Sequence, residues 1–197
     1  MRYQDFVSKF KPQKLSLLNA GKISNYISVR EFADSKTGKL PYFPDTLDGA
    51  LQVQIFIAIE LLLDTFDFIR SKYGKAIQIT SGWREITTQE AIKTEKQKQG
   101  KSEQVAKSVS PHIFGVALDI KDPSLGSDQS KLLQFILSLD SIGKDLRIGS
   151  KSYNLNFLHI DVAYALPIDS LWQAKFGITT KEAYEAVKAS WRKGVRW

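Results

Sequence analysis

Gly115-Val116-Ala117-Leu118-Asp119-Ile120 alternates along its length: Val116, Leu118 and Ile120 can enter a core, while Gly115, Ala117 and Asp119 share the other face. Phe157-Leu158-His159-Ile160-Asp161-Val162 repeats the period, with Leu158, Ile160 and Val162 facing one way and Phe157, His159 and Asp161 the other. Strands over 115–121 and 157–162 are therefore predicted. If they pair, Asp119, His159 and Asp161 meet on one sheet face, where Gly115 and Ala117 leave room. The chain has only two histidines, and the other, His112, leaves the Ser110-Pro111 turn just ahead of the first strand and can complete the group.

Upstream, Ala76-Ile77-Gln78-Ile79-Thr80 alternates as a third short strand and runs into the turn Ser81-Gly82-Trp83-Arg84. From about Leu47 to Tyr73, Gln52, Glu60, Asp64, Asp67 and Ser71 recur at helical spacing. That leaves Leu51, Ile55, Ile59, Leu62, Leu63 and Phe66 for a core and predicts a long amphipathic helix stopped by Gly74. Residues 85–107, rich in Lys, Gln and Glu, read as a long surface excursion rather than a core element. Between the two histidine-bearing regions, Ser127-Asp128 can cap a helix carrying Leu132, Leu133, Phe135, Ile136 and Leu139. Near the end, Thr179 and Glu182 stand three apart as a capping box for a closing helix with Tyr184, Val187 and Trp191 on one face. The chain is mixed α and β. Without an internal repeat or a Pro/Gly/Ser linker, one domain over 1–197 is expected.

Composition excludes several classes. Among 197 residues, 43% are hydrophobic and 25% charged, the usage of a folded globular protein rather than a disordered one. No cysteine is present, which removes disulfide scaffolds, thiolate zinc sites and cysteine nucleophiles. With 28 Lys+Arg against 21 Asp+Glu the net charge is +7, which favours polyanions: nucleic acid, anionic membranes or acidic wall polymers. Lys93, Lys96, Lys98, Lys101 and Lys107 raise nucleic acid as a partner, but a solvated basic loop explains them better, so none is expected. Met1 to Lys14 lacks the apolar stretch of an export signal. The most apolar run, Ala50 to Ile59, meets Glu60 and Asp64 well before the roughly 20 apolar residues of a membrane span, so no span is expected. Nothing in the pattern specifies an oligomeric state.

Two imidazoles and one carboxylate suit a catalytic zinc site, because three protein ligands leave a fourth tetrahedral position open. One carboxylate leaves net positive charge on the dication to polarise a carbonyl, which is hydrolase chemistry. The same side chains also serve as ordinary strand-flanking hydrogen-bonding groups, and their spacing by itself does not choose.

Ser110-Pro111-His112-Ile113-Phe114-Gly115-Val116-Ala117-Leu118-Asp119 resembles the SxHxxGxAxD motif of the zinc D-alanyl-D-alanine carboxypeptidases and related peptidoglycan peptidases, relatives in fold of the Hedgehog signalling domain. His159-Ile160-Asp161 resembles their later HxD element, and Ile79-Thr80-Ser81-Gly82-Trp83-Arg84 is similar to their strand and SGYR turn, with Trp83 for the usual Tyr. The order of elements agrees over about residues 28–163, leaving an N-terminal segment 1–27 and a C-terminal helical extension 164–197.

The resemblance implies an α+β fold, a small antiparallel sheet flanked by helices, here with an added C-terminal helix. It implies Zn2+ as cofactor, with His112, Asp119 and His159 as ligands, and places Arg84 in the cleft to hold a peptide carboxylate or a developing oxyanion. Ser110 then either bonds substrate or caps its own turn. Asp161 orients a ligand or water, or acts as the base. Many members carry Glu or Asp three residues before the second histidine as general base, where this chain has Asn156, and the 85–107 segment exceeds its counterpart in length and charge. The expected activity is a zinc peptidase acting on peptidoglycan, with its peptide stems as partner. Such a protein is made in the cytoplasm and acts on the wall after release, as in phage lysis, or as part of a phage particle. An inactive zinc-bearing wall-binding or phage structural module is the alternative, motivated by Asn156.

Overall fold

The computed structural model describes residues 1–98, 109–149 and 156–196. Four strands form one antiparallel sheet in the order β1 (Gln78–Ser81), β2 (Ala117–Lys121), β4 (Leu158–Asp161) and β3 (Arg147–Gly149). The described residues also hold nine α-helices: α1 (Tyr3–Phe10), α2 (Leu15–Asn19), α3 (Val29–Phe32), α4 (Gly49–Tyr73), α5 (Ile86–Lys98), α6 (Ser130–Leu137), α7 (Asp140–Asp145), α8 (Ile168–Gln173) and α9 (Lys181–Ser190). The mixture of α and β is as the residue periodicities lead one to expect, and the small antiparallel sheet is as the resemblance implies. Strand β3, only three residues long, carries too little period-2 signal to be read from sequence.

The sheet's core face is built from Ile79, Leu118, Ile120, Ile148, Leu158 and Ile160, all buried in one hydrophobic cluster with the long helix α4. That helix starts where the Asp48 carboxylate accepts the amide hydrogens of Ala50 (2.9 Å) and Leu51 (3.0 Å), and ends at Gly74, whose φ of 70° is the left-handed conformation a stop requires. Leu51, Ile55, Ile59, Leu62, Leu63 and Phe66 face the core as expected, but Gln52 and Glu60 are buried too, so α4 is a central helix rather than an amphipathic surface one. It is long and apolar enough to cross a bilayer by length and composition; in this fold more than half of its most apolar window is buried against protein.

Glu60 is tolerated because the N-terminal segment satisfies it. The Tyr3 hydroxyl donates to Oε1, and the Lys14 ammonium lies 2.5 Å from Oε2. Around this ion pair, Phe6 of α1 stacks on Phe56 at 5.0 Å. Residues of 1–27 and of the C-terminal extension belong to the same buried cluster as the sheet.

Three expectations shift. The 85–107 excursion is helical over α5, with Thr88 buried; its near-uniform polarity hides a helix that packs on only a narrow face, and 99–108 lie outside the described residues. The helix expected after Ser127-Asp128 begins at Ser130, and Asp128 accepts the Ser130 amide hydrogen (2.9 Å). Thr180 rather than Thr179 caps α9, its Oγ1 accepting from the Ala183 amide (3.1 Å), since the hydroxyl must reach the third helical residue.

Removing one partner of a buried ion pair strands the other, so Glu60→Ala is expected to lower unfolding free energy by about 3–5 kcal/mol. Lys14→Met combined with Glu60→Leu should recover most of that loss. Urea denaturation of the wild type and the two variants checks both.

Candidate metal centre

Strand register assembles the site. On one face of the sheet, Ser81, Asp119, His159 and Gly149 lie side by side across the four strands, and Ala117, Asp161 and Arg147 form the next row on the same face. Gly149 and Ala117 carry almost no side chain, which leaves space around Asp119 and His159. A bulge between Ile79 and Ser81 in β1 brings Ser81, rather than Thr80, opposite Asp119.

His112 reaches the same face from the turn Pro111–Phe114, which is stitched to the Gly82-Trp83-Arg84 corner. The His112 Nδ1–H donates to the Gly82 carbonyl (2.6 Å), the Arg84 amide to the His112 carbonyl (3.1 Å), and the Trp83 indole N–H to the Ile113 carbonyl (3.2 Å). Gly115 closes the turn at φ 74°. Gly82 is required here because a Cβ would lie 2.5 Å from the Phe32 carbonyl oxygen.

His112 Nε2, Asp119 Oδ1 and His159 Nδ1 converge with separations of 3.3 Å (His112 to Asp119), 3.3 Å (His112 to His159) and 2.9 Å (His159 to Asp119). Donors bound to a tetrahedral zinc lie roughly 3.3 Å from one another, so the triangle fits one cation. Chemistry agrees with geometry. A carbonyl can only accept, so His112 carries its proton on Nδ1 and turns the Nε2 lone pair inward. His159 donates from Nε2 to the Asp161 carboxylate (3.1 Å), which turns its Nδ1 inward. Asp119 Oδ2 accepts from an Arg84 NH2 (2.9 Å), leaving Oδ1 for the cation. All three residues are buried. The N, N, O donor set suits zinc and other borderline divalent ions.

Without a cation, a proton fills part of that role. Burial opposes charge on His159, but its hydrogen bonds to Asp119 and Asp161 and their negative charges push its pKa up to about 9. Burial likewise works against the Asp119 carboxylate, yet the charges and hydrogen bonds of His112 and His159 hold it well below the usual carboxylate range. His112 is depressed, chiefly by burial.

The other expected residues fall in different places. Arg84 lies beside the triangle, its Nε donating to Ser81 Oγ (3.0 Å) and its NH1 to Gln89 Oε1 of α5 (3.1 Å) as well as NH2 to Asp119. Asp161 stands behind His159 and is completely buried. Its oxygens accept from Arg147 NH1 (2.9 and 3.1 Å), and Oδ1 also takes the Ala163 amide hydrogen (2.9 Å). Of the two roles open to it, this position favours orienting the ligand over taking a proton. Ser110 is half-buried and makes no side-chain cap to its turn; Asn156 is exposed.

Sequence reasoning missed Arg147, Gln89 and Ser81. The alternation Leu146-Arg147-Ile148 was the only local trace of Arg147, too short to announce a strand, and Gln89 sat in the segment read as surface. Neither a protein-family model nor a curated protein matches the chain.

Two outcomes follow from this geometry. In the metal-free protein, His159 is a better base folded than unfolded. Its contribution to stability is therefore fully present below the free imidazole's 6.5 and is lost as pH rises through about 9, which thermal melts across that window should show. Metal uptake runs the opposite way, because the cation displaces that proton: affinity in chelator competition should rise about tenfold per pH unit over the same range. Separately, Gly82→Ala must shift the carbonyl that aims His112, and is expected to weaken metal binding by about tenfold or more in the same assay.

Proposed function

We propose that the protein is a zinc-dependent peptidase that hydrolyses peptide bonds in bacterial peptidoglycan, of D,D-carboxypeptidase or endopeptidase type, on a Hedgehog-like fold. The observation that carries this reading is the convergence of His112 Nε2, Asp119 Oδ1 and His159 Nδ1 on one sheet face with Arg84 beside them. The motif resemblance supplies the substrate class, and the +7 charge suits an anionic wall. Action after release to the wall, in phage lysis or within a phage particle, belongs to the same proposal.

His112, Asp119 and His159 would hold the cation. A divalent ion there supplies Lewis acidity, polarising a scissile carbonyl and acidifying water. Arg84 contributes a fixed cationic fork: among the described residues Ser81, Gln89 and Asp119 pin its guanidinium, which costs no reorganisation when negative charge develops on the carbonyl oxygen or a peptide carboxylate docks. Asp161 keeps the His159 ring oriented.

A second reading, a zinc-bearing wall-binding or phage structural module without turnover, is favoured by the proton acceptors. The Asn156 amide cannot take a proton from water, and the oxygens of Asp161 are committed behind His159.

Metal-loaded protein and a His159→Ala variant incubated with sacculi and defined muropeptides, with products read by mass spectrometry, decide between the two. New fragments from the wild type alone are expected, and Arg84→Ala should cut kcat/KM by about 10²- to 10³-fold. One equivalent of bound zinc with no product from any wall chemotype would overturn the peptidase in favour of the binding module.

A further inference from the structure

Arg147 is buried, and nothing in the motifs draws attention to it. It lies directly across from Asp161 in the β3–β4 ladder, and its NH1 bridges both carboxylate oxygens. Asp161 in turn holds His159 Nε2, so the chain of contacts from Arg147 to the inward-facing Nδ1 is unbroken. A carboxylate buried this completely keeps one geometry only while its donors surround it. Take Arg147 away and, among the described residues, Asp161 retains as hydrogen-bond partners only the Ala163 amide and the histidine it is meant to orient.

Arg147 is itself held by the C-terminal extension. Its guanidinium carbon lies 5.9 Å from the ring centroid of Trp191, the residue that ends α9. The same indole meets Phe114 edge-on at 5.8 Å, and Phe114 belongs to the turn that carries His112. Beyond Trp191, the chain closes over β3: the Ile148 amide donates to the Val195 carbonyl (3.0 Å), and the Gly194 amide to the Asp145 carbonyl (3.0 Å). One aromatic side chain from the extension thus touches the support of both histidines.

We infer that Arg147 is a positioning residue for the metal-binding His159, acting through Asp161, and that Trp191 makes the C-terminal extension part of the metal centre's support. The inference rests on the metal-site reading and not on peptidase activity. If the ion pair were purely structural, its loss would lower thermal stability and leave the metal's affinity and ligand field alone.

The test is zinc affinity by chelator competition, together with the d–d absorption of bound Co(II), on the full chain. Arg147→Met is expected to weaken zinc by about 10- to 100-fold and to alter the Co(II) bands. Arg147→Lys, which keeps the charge without the fork, should recover part of the loss, and Trp191→Ala should weaken zinc while Trp191→Phe does so less. Glu60→Ala, destabilised at a distance from the site, should keep wild-type affinity. Should Arg147→Met not fold, Arg147→Gln retains an amide donor and is read the same way. Wild-type affinity and bands in the folded Arg147→Met or Arg147→Gln variant would overturn this inference alone; wild-type protein that binds no metal would overturn the metal site and this inference with it.

Discussion

Asp119 opposite His159 across β2 and β4 is the pairing on which the rest of the site depends. Because side chains alternate along a strand, a slip of one residue in this register would send Asp119 or His159 to the core face and bring apolar side chains to the site. Leu118, Ile120, Leu158 and Ile160 resist that slip, since each would have to leave a fully buried position. The hydrophobic effect thus sets the register, and the register sets the distance between two ligand atoms. The bulge in β1 and the glycine corner at Gly82 then bring Arg84 and His112 to the same place.

Charge at this place is arranged in layers. Asp119 and Asp161 are buried carboxylates, and each is answered by an arginine: Arg84 on the outer side of Asp119, Arg147 behind Asp161. Between them sits His159, with Nδ1 2.9 Å from Asp119 and Nε2 3.1 Å from Asp161. Two buried carboxylates on one imidazole would be costly if left alone. The arginines offset that cost, and they leave one acid placed to act as ligand and the other as orienting group.

The flanking segments serve this arrangement from opposite sides. N-terminal residues satisfy Glu60 in the middle of α4, through Tyr3 and Lys14, so the longest helix can be buried without an unpaired acid at its centre. C-terminal residues cover the β3 edge and place Trp191 against Arg147 and Phe114. Helix α5 contributes Gln89 to Arg84, so the polar segment after the SGWR turn shapes the rim of the site as well as its surroundings.

Much of the centre was legible in the residues themselves. Period-2 alternation in 115–121 and 157–162 put Asp119, His159 and Asp161 on one face, and the helical period of 47–73 found the central helix, because side-chain direction along a strand or helix is a local property of the backbone. The two flanks were not legible. Glu60 reads as a solvent-facing residue until Lys14 and Tyr3 are brought to it from over 40 positions away, and nothing local marks Arg147 until β3 pairs with β4. Local sequence therefore determined which residues could meet; only the tertiary structure decided which charges are buried together, since pairing between distant segments leaves no periodic trace in either one.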